Sequence, residues 1–446
     1  MKIFFPRRKK IYYEMPADVS LQLDSPVSTA YSASAPYESV VKAFIEDKSA
    51  SLDDISLAIW NHPEVAFEEF YAAKTITVFL EQEGYAVTRN YCNLETSFLA
   101  EFQTAKFDGK VHATVAVLLE YDALPEIGHA CGHNLITEAG LAAFLGVRHV
   151  LENSDIQGRV VCMGTPAEEI FSGKSKLIDA GAFSNVDFAL MAHPSPIDIL
   201  EMETLAVNRL EVEFFGKAAH ASCGPWEGIN ALDAAVAAYN NISMLRQRLR
   251  AGNQVHVNVV DGGAKPNIIP DYTKCSYFLR APTTVDMKTL QKQVMACFAA
   301  AATATGCRFQ TEAKDPACGA LMLNKTMLSL YKHYAVKNGM DYRPSRPCYG
   351  STDMGDVSAV VPSIHPAFAI GETVMVHTKE FQALAGTPFA HQCTRRAGLV
   401  MAMTVLEVLA NPDLQCTIRN EFIERRKTFI GIDVESSTAR GDFTVY

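Results

Sequence analysis

The stretch GHACGHN at residues 128–134 sets a thiol between two imidazoles, His129, Cys131 and His133, just ahead of an apolar run. Thiolate and imidazole are ligands for borderline divalent cations such as Zn²⁺. Three more segments carry the remaining donor types: Glu168 and Glu169 in GTPAEE, His193 in AHPSP and His377 in GETVMVHTKEF. A bound metal makes water a nucleophile near neutral pH, and the proton released needs a carboxylate to carry it. The adjacent pair Glu168 and Glu169 can supply both, one oxygen donor for the ion and one base. A single histidine on an apolar segment, or a single buried cysteine, is more often packing than a ligand. The weight therefore rests on the four segments together. His129 reads as loop scaffold, and His62, His112, His149, His256, His333, His365 and His391 as structural or surface residues. A Cys131 nucleophile, its thiol acidified by a helix N-terminus, stays open on the same residues. It leaves Glu168, Glu169 and His377 without a task.

These donors need elements that bring them together. Each segment follows a short apolar run: HATVAVLLEY (112–121), GRVVCMG (158–164), VDFALMA (186–192) and PAFAIG (366–371). Runs of this kind, separated by helical patterns such as LITEAGLAAFLGVRHVL, indicate an α/β core with strands buried on both faces. Open α/β sheets form ligand sites outside the carboxyl ends of their strands, so the four segments can share one crevice. Residues 205–311 follow a different order: strand AVNRLEVEFFG, helix INALDAAVAAYNNISMLRQRL, strands QVHVNVVDGG and YTKCSYFLRA, helix KTLQKQVMACFAAAATAT, strand CRFQTE. That β-α-β-β-α-β series is a ferredoxin-like sandwich. The expected organisation is a catalytic α/β domain in two parts, 37–204 and 312–446, interrupted by an inserted domain at 205–311. Residues 1–36 read as a flexible arm.

Composition narrows the partners. The chain has 446 residues, too many for one compact core. Its net charge of -10 argues against nucleic acid and towards a small-molecule substrate. Eleven cysteines, an odd number with no C-x-x-C pair, fit a reducing compartment better than a disulfide framework. The N-terminal MKIFFPRRKK lacks the apolar stretch that a secretory signal carries after its charges, so a cytoplasmic location and no membrane association are expected. There is no H-E-x-x-H, Walker A loop, G-x-S-x-G elbow, G-x-G-x-x-G or P-C-x-x-C in the sequence.

With these residues assembled, the chain resembles the aminoacylase and carboxypeptidase family of co-catalytic metallopeptidases, in its amidohydrolase branch. The resemblance covers about residues 40–430 and is carried by EYDALPEIGHACGHN, GTPAEE, AHPSP, GKAAHAS, GGAKPNIIPD, GSTDMGDVS and HTKEF. It implies a catalytic domain that binds one or two divalent ions, Zn²⁺ or Mn²⁺, and a lid domain through which the protein forms a homodimer. Carried over residue by residue, Cys131, His133, Glu169, His193 and His377 resemble the metal ligands and Glu168 the general base. Asp122 matches a carboxylate that orients a ligand from behind. Many family members have a histidine ligand two positions earlier, where this chain has Glu120. His220 matches a lid histidine that polarises the scissile carbonyl, often from the partner subunit. Asn267 and Arg280 match lid residues that hold the substrate carboxylate, and the loop of Ser351, Thr352 and Asp353 either lines the pocket or is turn chemistry.

The activity this implies is metal-dependent hydrolysis of an amide beside a free carboxylate, in a dipeptide or an N-acyl amino acid. Two rivals remain open on the sequence: the same chemistry directed at a specialised metabolite or run towards amide formation, and a metal-stabilised dimer that binds carboxylates without turnover. The intact Glu168–Glu169 pair speaks against the second, because a binder needs no base.

Overall fold

The computed structural model describes residues 32–431 apart from 171–172, 314–316, 343–349 and 372. The arm expected over 1–36 lies outside the described residues as far as 31. Beyond that point the chain is anchored before Tyr37. Ser34 is buried, with its backbone N–H and hydroxyl both donating to the Glu407 carboxylate at 2.8 Å. A carboxylate inside the helix Pro388–Ala410 requires such donors, and the chain end provides them.

The larger domain is built on a six-stranded mixed sheet. Its strands lie in the order Ala86–Arg89, Phe98–Gln103, Arg159–Gly164, Thr114–Leu119, Phe188–Leu190 and Ser363–Ile364. Thr114–Leu119 runs parallel to both neighbours and is buried at every position, as an all-apolar strand covered on two faces should be. The run expected over 186–192 breaks in two. After Phe188–Leu190 the chain forms a second short strand, His193–Ser195, paired in parallel with Ala367–Ala369. The carboxyl ends of all these parallel strands therefore face one side.

The helix His133–Glu152 packs on this sheet and is buried nearly all round, which explains its lack of a polar face. It crosses Pro388–Ala410 at Gly398, where an added Cβ would meet Ala142 Cβ at 2.6 Å. Among the described residues no single helix is long and apolar enough to cross a membrane; Pro388–Ala410 passes such a test only jointly with Pro412–Phe429, bent at 101°.

The inserted unit has its own apolar cluster, separate from that of the larger domain. Its four antiparallel strands lie in the order Arg308–Ala313, Ala206–Phe215, Tyr272–Ala281, Gln254–Asp261. The helices Ala231–Leu245 and Thr284–Thr305 pack together against the two central strands. Alternation along Ala206–Phe215 and Tyr272–Ala281 sends Val212, Phe214, Cys275, Tyr277 and Leu279 into that core and leaves Arg209, Phe278 and Arg280 on the opposite face.

Candidate metal centre

At the carboxyl ends of the parallel strands the structure brings Cys131, His133, Glu169, His193 and His377 together. Their donor atoms form two groups that share the Cys131 sulfur: Cys131 with His133 and His193, and Cys131 with Glu169 and His377, every atom within 4.8 Å of the others in its group. Cys131 Sγ lies 3.4 Å from His193 Nε2, and Glu169 Oε1 lies 3.6 Å from His377 Nε2. Donors around one ion bound at about 2.0–2.3 Å have spacings of this order.

The backbone that carries them is constrained. Gly132 has φ +78°, and a Cβ there would strike Pro194 Cγ at 2.6 Å, so only glycine lets Cys131 and His133 meet His193 across this gap. His133 is itself the first residue of its helix rather than part of the preceding loop. Ala167 and His377 both adopt positive φ, 61° and 64°, unusual for residues with a Cβ and a sign of backbone held in place by its surroundings. For Ala167 the restraint is visible: Glu69 Oε1 accepts the Ala167 N–H at 2.9 Å and the Phe67 N–H at 2.9 Å. His377 is held by its own N–H, which donates to the Ala130 carbonyl at 2.8 Å.

Hydrogen bonds behind the histidines fix which nitrogen faces the cluster. His133 Nδ1–H donates to Asp122 Oδ1 at 3.0 Å, and Asp122 Oδ2 accepts the Glu169 N–H at 2.9 Å, so one carboxylate aims both groups. His193 Nδ1–H donates to the Pro194 carbonyl at 2.7 Å. Both Nε2 atoms are thereby turned inward. Burial, with the neighbouring His133, lowers the His193 pKa to about 4, so its ring is neutral and able to ligate at ordinary pH. Burial would raise Asp122, but His133 and then the Glu169 N–H outweigh it and hold the carboxyl below its usual range.

The donor set fits a cation on an observation independent of the motifs. His133 Nε2, Glu169 Oε1 and Glu120 Oε2 are buried and have no hydrogen-bond partner among the described residues. His133 Nε2 lies 3.5 Å from Glu120 Oε2 and 3.9 Å from Glu169 Oε1, and a cation beside it would satisfy atoms whose burial otherwise costs desolvation energy. Glu168 lies close by, its Oε2 3.9 Å from His133 Nε2. Burial raises its pKa well above the usual value, helped by the charges of Glu120 and Asp353.

The lid residues stand apart from this cluster. His220 is exposed, and its Nδ1 accepts the N–H groups of Ser222 and Cys223, both at 3.2 Å. Asn267 is exposed at the adjoining turn. Arg280 is half-buried on the open face of the lid sheet and donates to Ser351 Oγ at 3.2 Å, joining the lid to the loop 350–353. Burial lowers its pKa, as does the neighbouring Arg209. Thr352 and Asp353 are buried, and Asp353 forms an ion pair with Lys174.

Residues 207–305 match the peptidase dimerisation domain. Over 388 residues the chain is 42% identical to the Xaa-Arg dipeptidase of Mus musculus, covering 85% of this chain and 90% of that protein. It is 34% identical over 306 residues to one of the subunits of the p-aminobenzoyl-glutamate hydrolase of Escherichia coli (strain K12), covering 64% of this chain and 61% of that one. The chain belongs to the M20 peptidase family. A dinuclear metal-binding peptidase of the same family from Bacillus subtilis shares the fold, with a TM-score of 0.60 at 20% identity, covering 81% of this chain and 99% of the other. The M20 architecture accounts for the domain that interrupts the catalytic sheet.

Sequence reasoning gave no role to four residues around this centre. Lys174 and Glu69 lie in no recognisable donor pattern, and Glu120 enters only through the resemblance, at the position where many family members have a histidine ligand. His365, read as structural or surface, is buried with its ring centroid 5.8 Å from that of His193, edge to face. The usable signal was a charge directly after an apolar run, Glu120 following TVAVLL; Lys174, in SGKSK, carries none.

Proposed function

We propose that this protein is a metal-dependent dipeptidase or N-acyl amino acid hydrolase that cleaves an amide bond beside a free carboxylate. The observation that carries this reading is the pair of donor groups sharing Cys131, with the Glu168 carboxylate buried next to them. Cys131, His133, Glu169, His193 and His377 would hold two divalent ions, Zn²⁺ or Mn²⁺, one in each group. Such ions supply Lewis acidity, which acidifies water and polarises a carbonyl. Glu168 takes the proton of the attacking water and returns it to the leaving nitrogen. Its raised proton affinity suits the return step, and nearby cationic charge works in the opposite direction during abstraction.

The lid supplies the remainder. Arg280 binds the substrate carboxylate, a planar fork matched to two oxygens, with Asn267 beside it. His220 polarises the carbonyl from a second copy of the chain. The match to a dimerisation domain supports a homodimer, as does the lid's outer surface, where Val259 and Val260 on the edge strand and Val236, Tyr239 and Met244 on the helix Ala231–Leu245 are exposed. The named activity of the mouse relative, together with the acidic net charge, favours a leaving residue with a cationic side chain. The cysteines described are all free thiols, which suits a cytoplasmic enzyme.

Purified protein should contain Zn²⁺ or Mn²⁺ by elemental analysis, and chelation should abolish hydrolysis of Xaa-Arg dipeptides until the metal is restored. Full activity after verified removal of metal overturns the mechanism. Preference for p-aminobenzoyl-glutamate over Xaa-Arg in the same assay overturns the cationic leaving residue alone.

A further inference from the structure

Behind the two donor groups lies a buried ion-pair cluster with no place in the mechanism above. Lys174 has no exposed surface. Its Nζ donates to Glu120 Oε1 and, at 2.6 Å, to Asp353 Oδ1, while its backbone N–H donates to Asp353 Oδ2 at 3.0 Å. Asp353 thus clamps the lysine at both ends. The preceding Gly173 passes so close to Pro166 that an added Cβ would lie 1.5 Å from its carbonyl oxygen, which locks this helix start to the GTPAEE segment. Three separate segments therefore fix one ammonium group, and that ammonium fixes one oxygen of Glu120.

The other oxygen is the informative one. Glu120 Oε2 is buried, without a hydrogen-bond partner among the described residues, and 3.5 Å from His133 Nε2, equally unpartnered. Glu120, His133 and Glu168 form a further group with donor atoms within 4.8 Å of one another. A carboxylate held by one oxygen, with its second 3.5 Å from the inward-facing His133 Nε2, has the arrangement of a monodentate ligand. We propose that Glu120 is an additional oxygen ligand of the ion held by His133, and that Lys174 is the positioning residue that fixes it there.

The arrangement has two chemical consequences. It adds an oxygen to the donors around His133, and an oxygen donor shifts preference from soft towards harder divalent ions. The ammonium also offsets part of the charge gathered by Glu120, Glu168 and Asp353, which would otherwise repel one another in a site shielded from water. This inference rests on the metal-binding reading, and its test is chosen to separate the two.

Full-length protein stripped of metal is titrated with Co²⁺, followed by calorimetry and by the visible d–d absorption, which reports ligand number without any turnover. Wild type should bind two ions. Glu120→Gln keeps a carbonyl oxygen for Lys174 and so preserves the fold; it should weaken one of the two ions by at least tenfold and alter the absorption of that ion alone. Lys174→Met should weaken the same ion by about 10- to 100-fold, the usual cost of losing a group behind a ligand, and add little in the Glu120→Gln background. Two ions bound by Glu120→Gln with wild-type affinity and spectrum overturn the proposal, whether or not Lys174→Met folds. Wild type that takes up no Co²⁺ overturns the metal reading instead.

Discussion

The metal centre and the lid solve opposite problems with ionisable groups. In the catalytic domain Cys131, His133, Glu120, Glu168 and Asp122 are buried, with only His377 exposed at the rim, and Asp122, His133 Nδ1 and one oxygen of Glu120 are tied to backbone or to another side chain. In the lid, His220 and Asn267 are exposed and Arg280 is half-buried. The first set is preorganised by the fold of one chain, so its electrostatics act without rearrangement. The second is held within the chain by few contacts, His220 by two backbone N–H groups and Arg280 by Ser351, and stays open to solvent. Substitutions in the centre should therefore cost turnover or metal outright, and those in the lid should cost in a substrate-dependent way.

The largest effect is expected at Glu168. Glu168→Gln should retain both ions while kcat falls by roughly 100- to 10,000-fold, the span of a general-base contribution. Glu169→Ala should instead lower metal occupancy. Unchanged kcat in Glu168→Gln, measured on protein of confirmed metal content, would show that the two neighbours have been given the wrong roles.

Next comes His220. Its replacement by alanine should reduce kcat by about 100-fold with little change in KM, since carbonyl polarisation grows towards the transition state. If the ring comes from the partner, mixing His220→Ala with Glu168→Gln subunits should restore activity in heterodimers, because one of the two sites then holds both intact groups. Confirmed heterodimers that remain inactive would place His220 outside the partner's site and remove the contrast between a self-sufficient centre and a borrowed lid.

At Arg280 the predicted effect is smaller and selective. Arg280→Ala should raise KM about 10- to 100-fold for substrates with a free carboxylate, from loss of a charge-assisted bond worth about 1.5–3 kcal/mol. Amidated analogues should be spared. An equal loss on both substrate types would mean that Arg280 serves the lid's contact with Ser351 rather than the substrate.

The same division explains what the sequence could disclose. Strand runs such as TVAVLL and the lid's alternating YTKCSYFLRA are legible because burial on two faces or one imposes a period on the residues themselves. Cys131, His133, Glu169, His193 and His377 are legible as donor types at strand ends. Lys174 and Glu69 are not, because a buried charge is explained only by a partner 54 or 98 residues away, and Glu120 enters only by its place in the family pattern. The tight passage of Gly173 under Pro166 is equally invisible, since glycine carries no label for the contact it permits.

The subtlest test concerns Glu69, which belongs to the preorganised side and acts through Ala167. Burial, with the charge of Asp122, pushes its carboxyl up to about 7 against the pull of its backbone hydrogen bonds. A group whose folded pKa is raised holds its proton more tightly when folded. Its contribution to stability is full below the unfolded value near 4.5, and is lost as pH climbs to about 7. A shift of this size sets an upper bound of about 3 kcal/mol. Glu69→Gln can still accept the Ala167 and Phe67 N–H groups but cannot ionise. In metal-free protein, its Tm relative to wild type should therefore move in the variant's favour by a few degrees between pH 5 and pH 8. A gap that stays constant across that range would mean Glu69 is ionised throughout. In that case its two hydrogen bonds outweigh burial, and the hold on Ala167 that places Glu168 and Glu169 is a charged one.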